Sequence, residues 1–412
     1  MSEDRDLSVL IVPRTGGGVA GDDLGEPVRI VDAAGDPVTA VATFLKDLQA
    51  SGRSESTQRS YAMDLLRWFR FLWAIEVPWD QATRTEARDF CRWLAFTHKA
   101  PRGPATTRSM SNVPNPVTGK SRPGRTYAAT TRAHSETVLR VFYDFHRDVG
   151  TGPMVNPFPL SRDRHGGRAN AHHNPMEPYR NDRVGLYRPR VAQRIPRCIP
   201  DALFNQVFAE LGSHRDRALV ALWVSTAARA SELLGARCSD VDPGQQLVTV
   251  VRKGSRSLQQ LPASPDAFVW LRLYQSGIDQ EIPTGPDDPL WWTRRRPFRP
   301  LNYHAARAMF ARAAAALGAD WTLHDLRHTA AYRMARDPAL PLSDVQWVLG
   351  HAHLSTTQLY LTPMPGDVIA GVLAHHRRRQ PLAAPDLRGG AADVRSSYRP
   401  ESLDVLFGGQ NS

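Results

Sequence analysis

A mainly α-helical chain with one small antiparallel β-sheet, split into two domains, is the fold the sequence predicts. Three observations carry this. Apolar residues recur at three- and four-residue spacing through most of residues 36–155 and again after residue 199. The clearest β-rich segment, Leu247–Leu261, is short and interrupted by a polar turn. A stretch dense in Arg, His, Asn and Pro without apolar period, residues 156–198, lies between the two helical regions as a basic linker. At 412 residues the chain also exceeds what one hydrophobic core usually serves.

Residues 1–35, with Gly16, Gly17 and Gly18 and the acids Asp22, Asp23 and Glu26, hold no sustained period and read as a flexible arm, in which Val9–Val12 is long enough for a short strand. Helix one opens at Asp36-Pro37, carries Val38, Val41, Phe44, Leu45 and Leu48 at helical spacing, and stops before Gly52. Helix two follows the cap candidates Ser54 and Ser56; Tyr61, Leu65, Trp68, Phe69 and Leu72 form its apolar stripe, while Arg59, Arg67 and Arg70 lie off it. Helix three follows Thr85 with Ala87, Phe90, Cys91 and Leu94, and helix four runs from about Thr130 through Val138, Val141, Phe142 and Phe145 to Gly150. These four helices make an N-terminal domain over residues 36–155. It is interrupted at 99–125 by a segment rich in Pro, Gly, Ser and Arg, longer than ordinary helix connections.

The second domain spans residues 199–366. Leu203, Phe204, Val207, Phe208 and Leu211, then Leu219, Leu222 and Trp223 after a Ser213 cap, predict two helices. Leu247–Val251 and Leu258–Leu261 pair as strands around Lys253-Gly254-Ser255, and helices resume at Ser264-Pro265, Asn302, Thr322, Ser343 and Ser355. Residues 367–412 form a tail with a basic cluster at Arg377–Arg379 and an apolar patch at Leu403, Val405, Leu406 and Phe407, suited either to docking on a neighbouring subunit or to a frayed terminus.

With 52 Lys+Arg against 41 Asp+Glu, a net charge of +11, the chain favours a polyanionic partner such as nucleic acid. Most of the cations are arginine, whose fork grips phosphate through two parallel hydrogen bonds. Cys91, Cys198 and Cys238 have neither pairing rhythm nor metal-ligand spacing, which suits a reducing, cytoplasmic setting. An acidic, polar N-terminus and the lack of long apolar runs predict neither a signal peptide nor a membrane span.

Opening a phosphodiester without a metal takes an in-line nucleophile, cations on the non-bridging oxygens, and a proton for the departing oxygen. The second domain offers residues for each part. Arg229 starts a helix and is steadied by Glu232; Lys253 sits at a hairpin tip; His324 and Arg327 share a helix face at i and i+3; Leu349-Gly350-His351 precedes a short helix that projects Tyr360. A phenol with a pKa of about 10 needs neighbouring cations or a base to ionise. His328 reads as packing. Each piece alone is weak, since an Arg/Glu pair is commonly a surface ion pair and a lone tyrosine at a helix end is commonly half-buried packing.

In this order and company the residues resemble the catalytic domain of the tyrosine recombinases, the phage-integrase family, and the four preceding helices resemble its SAM-like core-binding domain. The resemblance implies that Arg229 and Arg327 bind the scissile phosphate. His324 and His351 assist proton movement, Lys253 protonates the leaving 5′-hydroxyl, Tyr360 forms a 3′-phosphotyrosyl link, and Glu232 supports. It implies no metal or nucleotide cofactor, double-stranded DNA sites as partner, a homotetramer on two sites with accessory DNA-bending proteins, and a nucleoid-associated place in the cytoplasm. Arg59, Lys120, Arg122, Arg125 and Arg132 are the expected DNA contacts of the first domain and its loop, with an exposed disordered loop over 99–125 as the equal alternative. Ala227 stands where the family often has glycine, a change expected to alter only the start of the next helix, and 99–125 and 156–197 are longer than in compact members. A non-catalytic DNA-binding regulator on the same scaffold is the alternative. A metal-dependent nuclease, suggested by His172-His173, His351-Ala352-His353 and His375-His376, lacks an acidic cluster to accompany those histidines. Integration, transposition and resolution would all use this one active site.

Overall fold

The computed structural model describes residues 5–21, 26–99, 113–121, 124–161, 184–191, 196–351, 354–361 and 365–379. Arg122, His172, His173, His353 and the apolar patch at 403–407 lie outside these residues. The chain divides into two compact units, Met1–Ala331 and Tyr332–Ser412.

In the first unit, strands β1 (Gly17–Val19) and β2 (Arg29–Val31) pair antiparallel, with Gly18 opposite Ile30. Helices α1 (Thr39–Ala50), α2 (Glu55–Ala74), α3 (Arg84–Phe96) and α4 (Ala129–Asp148) follow. Ser54 caps α2 by accepting the Thr57 N–H, and Thr83 caps α3 because Glu86, three residues on, reaches back to its N–H at 2.9 Å. That reciprocal pair starts α3 ahead of Thr85, where the sequence alone put it. The core of this bundle is aromatic: Trp68, Phe71, Phe90, Phe142 and Tyr143 are buried against one another, each burial stabilising by about 1.5–3 kcal/mol. The two polar groups of that core satisfy each other, Trp68 Nε1 donating to Tyr143 Oη and that hydroxyl donating to the Trp79 carbonyl, both at 2.9 Å.

Two expectations are corrected here. The arm over 1–35 is not wholly flexible, and its strands lie at 17–19 and 29–31 instead of 9–12. Leu7 and Ile30 join the helical core, and Arg70 donates to the carbonyls of Thr15 and Gly16 at 2.8 Å each, which satisfies arm backbone that periodicity could not place. Nor do the described ends of the linker run free. Phe158 packs on Trp68, Asn156 Nδ2 donates to the Arg140 carbonyl and Asp144, Leu160 bridges Gly185, and Tyr187 meets Arg84.

The same unit continues with α5 (Asp201–Ala209), α6 (His214–Thr226), the five-residue α7 (Ala230–Leu234) and a three-stranded antiparallel sheet in the order β3 (Val241–Asp242), β4 (Leu247–Val251), β5 (Leu258–Pro262). β3 is too short to show a period. In β4 and β5, Val248 pairs with Leu261 and Val251 with Leu258; Val248, Val250 and Leu261 are buried. Then come α8 (Pro265–Ser276), with Ser264 at its N-cap position and Pro265 in its first turn, α9 (Tyr303–Ala316), capped by the Asn302 side chain, and α10 (Leu323–Arg336), whose residues from Tyr332 on belong to the second unit. α6 buries Leu219, Val220, Leu222 and Trp223 and packs on α8. The second unit holds α11 (Leu342–Leu349), α12 (Leu354–Gln358), a 3-10 turn at Leu359–Leu361, and α13 (Pro365–Arg379). No described helix is long and apolar enough to cross a membrane.

Candidate active site

Arg229 owes its position to the way α6 ends. Ala227 takes the left-handed conformation (φ 52°, ψ 20°), and Thr226 Oγ1 accepts the Ala228 N–H at 3.2 Å, so the chain reverses and leaves Arg229 as N-cap of α7. Ala227 therefore shapes the exit of one helix as well as the start of the next. A left-handed alanine costs roughly 1–2 kcal/mol, which is why glycine suits this place.

Glu232 organises the surroundings. Its carboxylate, with a side chain only 1% exposed, collects four donors: Oε1 accepts Arg229 Nη1 at 2.9 Å and the Lys253 backbone N–H at 3.0 Å, while Oε2 accepts the Arg229 backbone N–H at 2.9 Å and Arg252 Nη1 at 3.0 Å. Burial by itself would raise the carboxyl pKa. The N–H groups of Arg229 and Lys253, the Arg229 side chain and the Arg252 charge outweigh it and hold the group below its usual range, so Glu232 is ionised at neutral pH. The same carboxylate thus anchors the Arg229 guanidinium, whose side chain remains 31% exposed, and the backbone of the lysine loop.

Arg327 is buried on α10 and donates Nη1 to the Ala227 carbonyl, two residues before Arg229. His324 sits in the first turn of α10, where Thr322 and Asp325 cap the helix: the Thr322 N–H and hydroxyl reach the Asp325 carboxylate at 2.7 and 2.8 Å. His324 is itself exposed. Water lost where the ring packs, then the positive charges of Arg327 and Arg229, lower its pKa against the opposing pull of Asp325, so it is neutral at pH 7. His328 packs edge-on against it, ring centroids 4.2 Å apart.

In the second unit, Gly350 ends α11 in the left-handed region (φ 60°), the turn that Leu-Gly-His requires. The His351 N–H bonds the Gln346 carbonyl, Gln346 Nε2 bonds the His351 carbonyl at 3.0 Å, and the ring Nδ1 meets Thr357 Oγ1 at 3.0 Å. Tyr360, 5% exposed, lies in the 3-10 turn with its ring stacked at 10° on that of His351, centroids 6.3 Å apart. Arg229, Glu232 and Lys253 come together in the first unit with Arg327 bonded just before them, and His351 and Tyr360 come together in the second.

Sequence reasoning missed Arg252. Its signal was parity: Val248, Val250 and Arg252 alternate onto one face, so the arginine falls at an inward position. Among the cations expected to meet DNA, Arg59 donates to the Pro27 carbonyl and lies 3.6 Å from Glu55. Lys120 lies 3.2 Å from the Asp320 carbonyl and 3.6 Å from its carboxylate. Arg125 is exposed, and Arg132 is half-buried. Among the described residues no group of three or more His, Cys, Asp or Glu is placed to hold a metal ion.

Residues 201–365 match the model of the phage integrase family, and residues 41–112 match that of the phage integrase N-terminal SAM-like domain. Tyrosine recombinase XerC of Chromobacterium violaceum is 31% identical over 209 residues, which cover 48% of this chain and 67% of that protein. The chain belongs to the phage integrase family. A second relative, tyrosine recombinase XerD of Yersinia pestis, is 31% identical over 193 residues, 42% of this chain and 60% of XerD. The chain thus spans about three-fifths of the length of such curated relatives. The phage integrase fold reaches further than the sequence matches. The Tn1549 transposon integrase (residues 82–397), solved with circular intermediate DNA, is 13% identical with a TM-score of 0.52, covering 81% of this chain and 98% of that one. XerH bound to its palindromic difH substrate is 14% identical with a TM-score of 0.52, covering 82% and 84%. At these identities the likeness is one of fold. It bears out the expected architecture of a SAM-like helical domain followed by a mainly helical domain with a small antiparallel sheet.

Proposed function

We propose that this chain is a site-specific DNA recombinase or integrase that cleaves and rejoins strands through a 3′-phosphotyrosyl intermediate. The observation that carries the reading is the Glu232 carboxylate, which binds the Arg229 guanidinium and the backbone of Lys253 at once, an arrangement suited to gripping a phosphate beside a proton donor. In this reading Arg229 and Arg327 hold the two non-bridging oxygens and stabilise the charge that builds on them. Tyr360 Oη attacks phosphorus, its proton leaving with help from His351, while His324 donates a hydrogen bond to a phosphate oxygen. The P–O5′ bond breaks as Lys253 Nζ protonates the departing oxygen. A 5′-hydroxyl returns by the reverse path, so the energy of the phosphodiester stays in the phosphotyrosine and no nucleotide cofactor is required.

Family membership supports this, as do fold neighbours solved on DNA, XerH among them as a post-cleavage complex. Double-stranded DNA sites are the proposed substrate, approached by a basic chain and contacted in part by Arg59, Lys120, Arg122, Arg125 and Arg132. A homotetramer on paired sites, accessory DNA-bending proteins and a nucleoid-associated cytoplasmic location complete the proposal, with mobile-element integration or transposition favoured by the long basic loops. The test is a nicked suicide substrate carrying the element's own junction. The protein should form a covalent adduct that survives denaturing electrophoresis and persists in chelator, and Tyr360→Phe should form none. A wild-type protein that binds the site without ever forming an adduct is a DNA-binding regulator instead.

A further inference from the structure

The Lys253 loop is held from below as well as at its tip. Arg252, the residue just after β4, continues the inward alternation of Val248 and Val250 and is only 4% exposed, an unusual place for a guanidinium. There Nη1 donates to Glu232 Oε2 at 3.0 Å and Nε donates to Gln259 Oε1 at 2.6 Å. Its backbone N–H closes the loop on the Ser257 carbonyl at 2.9 Å, and its own carbonyl accepts the Arg256 N–H at 3.1 Å. One planar cation therefore ties β4 to β5 and both to the carboxylate that receives the Arg229 side chain and the Lys253 N–H.

Stability alone gives little reason for this choice. Taking a guanidinium out of water is costly, and a well-packed apolar residue usually serves a hairpin as well or better. What the fork supplies is direction: two bonds at a fixed angle restrict the loop, whereas a lysine would offer a single mobile ammonium. Lys253 itself is exposed, and beside it Gly254 (φ 109°) and Arg256 (φ 59°) take left-handed turns, so the stem is what limits where the tip can go.

We infer that Arg252, with Gln259 as its outer anchor, is a positioning residue that sets where Lys253 delivers its proton to the leaving 5′-oxygen. This rests on the role proposed for Lys253. Arg252 acts through the loop, and its removal impairs proton delivery more than DNA binding.

The experiment compares two suicide substrates, one ordinary and one with sulfur replacing the bridging 5′-oxygen at the scissile phosphate. Attack by Tyr360 on the second breaks a P–S bond and releases a thiolate, whose conjugate acid has a pKa of about 8.5, so departure needs no proton from the protein. With the full chain, Arg252→Met should cleave the ordinary substrate about 10²-fold more slowly, the scale of a misplaced catalytic group. It should return to within about threefold of wild type on the sulfur substrate, with DNA affinity unchanged. Lys253→Ala should be rescued likewise, and Arg229→Ala should not. Equal slowing of Arg252→Met on both substrates, beside a rescued Lys253→Ala, overturns the inference while leaving the lysine's role standing. An unrescued Lys253→Ala removes that role, and the inference with it. If Arg252→Met does not fold, Gln259→Leu must show the same sulfur-selective rescue from a smaller defect, and its failure to do so is equally decisive against the inference.

Discussion

Replacing Glu232 with glutamine removes one charge and little volume from the centre of the first unit's site. The carboxylate accepts four hydrogen bonds, two on each oxygen. Glutamine keeps one oxygen that accepts two of them and turns an NH2 toward the donors of the other two. Each buried donor left unsatisfied costs roughly 1–3 kcal/mol. The larger loss is the counter-charge of the buried Arg252, since removing one partner of a buried ion pair costs about 3–5 kcal/mol. Part is recovered because Arg229 is open enough to turn toward water, so a net destabilisation of about 3 kcal/mol is expected. Hydrogen exchange of peptides covering residues 229–234 and 247–262 reads this locally, which matters in a chain of more than one module. The pH dependence gives a second handle. The folded-state pKa of Glu232 lies below its unfolded value, so its contribution is complete above about pH 4.5 and is lost as pH falls through the folded pKa. Wild type and Glu232→Gln should therefore converge on acidification. A variant within about 0.5 kcal/mol of wild type at pH 7, with the same protection at those peptides, would refute the four-donor account.

Tyr360→Phe should abolish covalent adduct formation while DNA affinity in a gel-shift assay changes less than about twofold, because a single oxygen is lost; a variant still forming adduct would mean that another nucleophile acts. Arg327→Ala should slow single-turnover cleavage by about 10²–10³, the cost of losing a principal donor to developing anionic charge. His324, whose pKa is depressed in the free protein, should take up a proton when an anionic phosphate arrives, so DNA should bind more tightly as pH falls from the pKa of the DNA-bound state to the lower pKa of the free protein. Calorimetry in buffers of different ionisation enthalpy measures that uptake, and equal uptake by His324→Gln would assign it elsewhere. Ala227→Gly should raise stability by up to about 1 kcal/mol by relieving the left-handed backbone at φ 52°, partly offset by the freedom glycine adds to the unfolded chain; unchanged or lower urea resistance would contradict the strain.

The helices were legible where their signals are local. Ser54 with Thr57 and Asn302 are side-chain caps, and Ser264-Pro265 is a helix start, all written within four residues of the turns they begin, and the stripes of α2 and α4 repeat often enough to be counted. The arm and the linker were not, because what orders them is distant: Ile30 and Phe158 stand in short apolar runs with no sustained period, and only the helical core they join fixes their place. The site divides the same way. Arg229 with Glu232 is an i, i+3 pair, and Gly350 before His351 is a helix stop, both readable in a few residues. Arg252 meets Glu232 across twenty positions, and no local spacing announces that contact.

By itself, then, the sequence determined which residue types are available for phosphoryl chemistry, their order along the chain, and the helices and hairpin that carry them, since propensity, capping and period act over a few residues. Only tertiary structure decided that one buried carboxylate would bind two arginines and the lysine loop together, that Ala227 would be left-handed, and that the pKa of His324 would be lowered. Those outcomes depend on burial and on charges brought close by folding, and neither quantity exists in an extended chain.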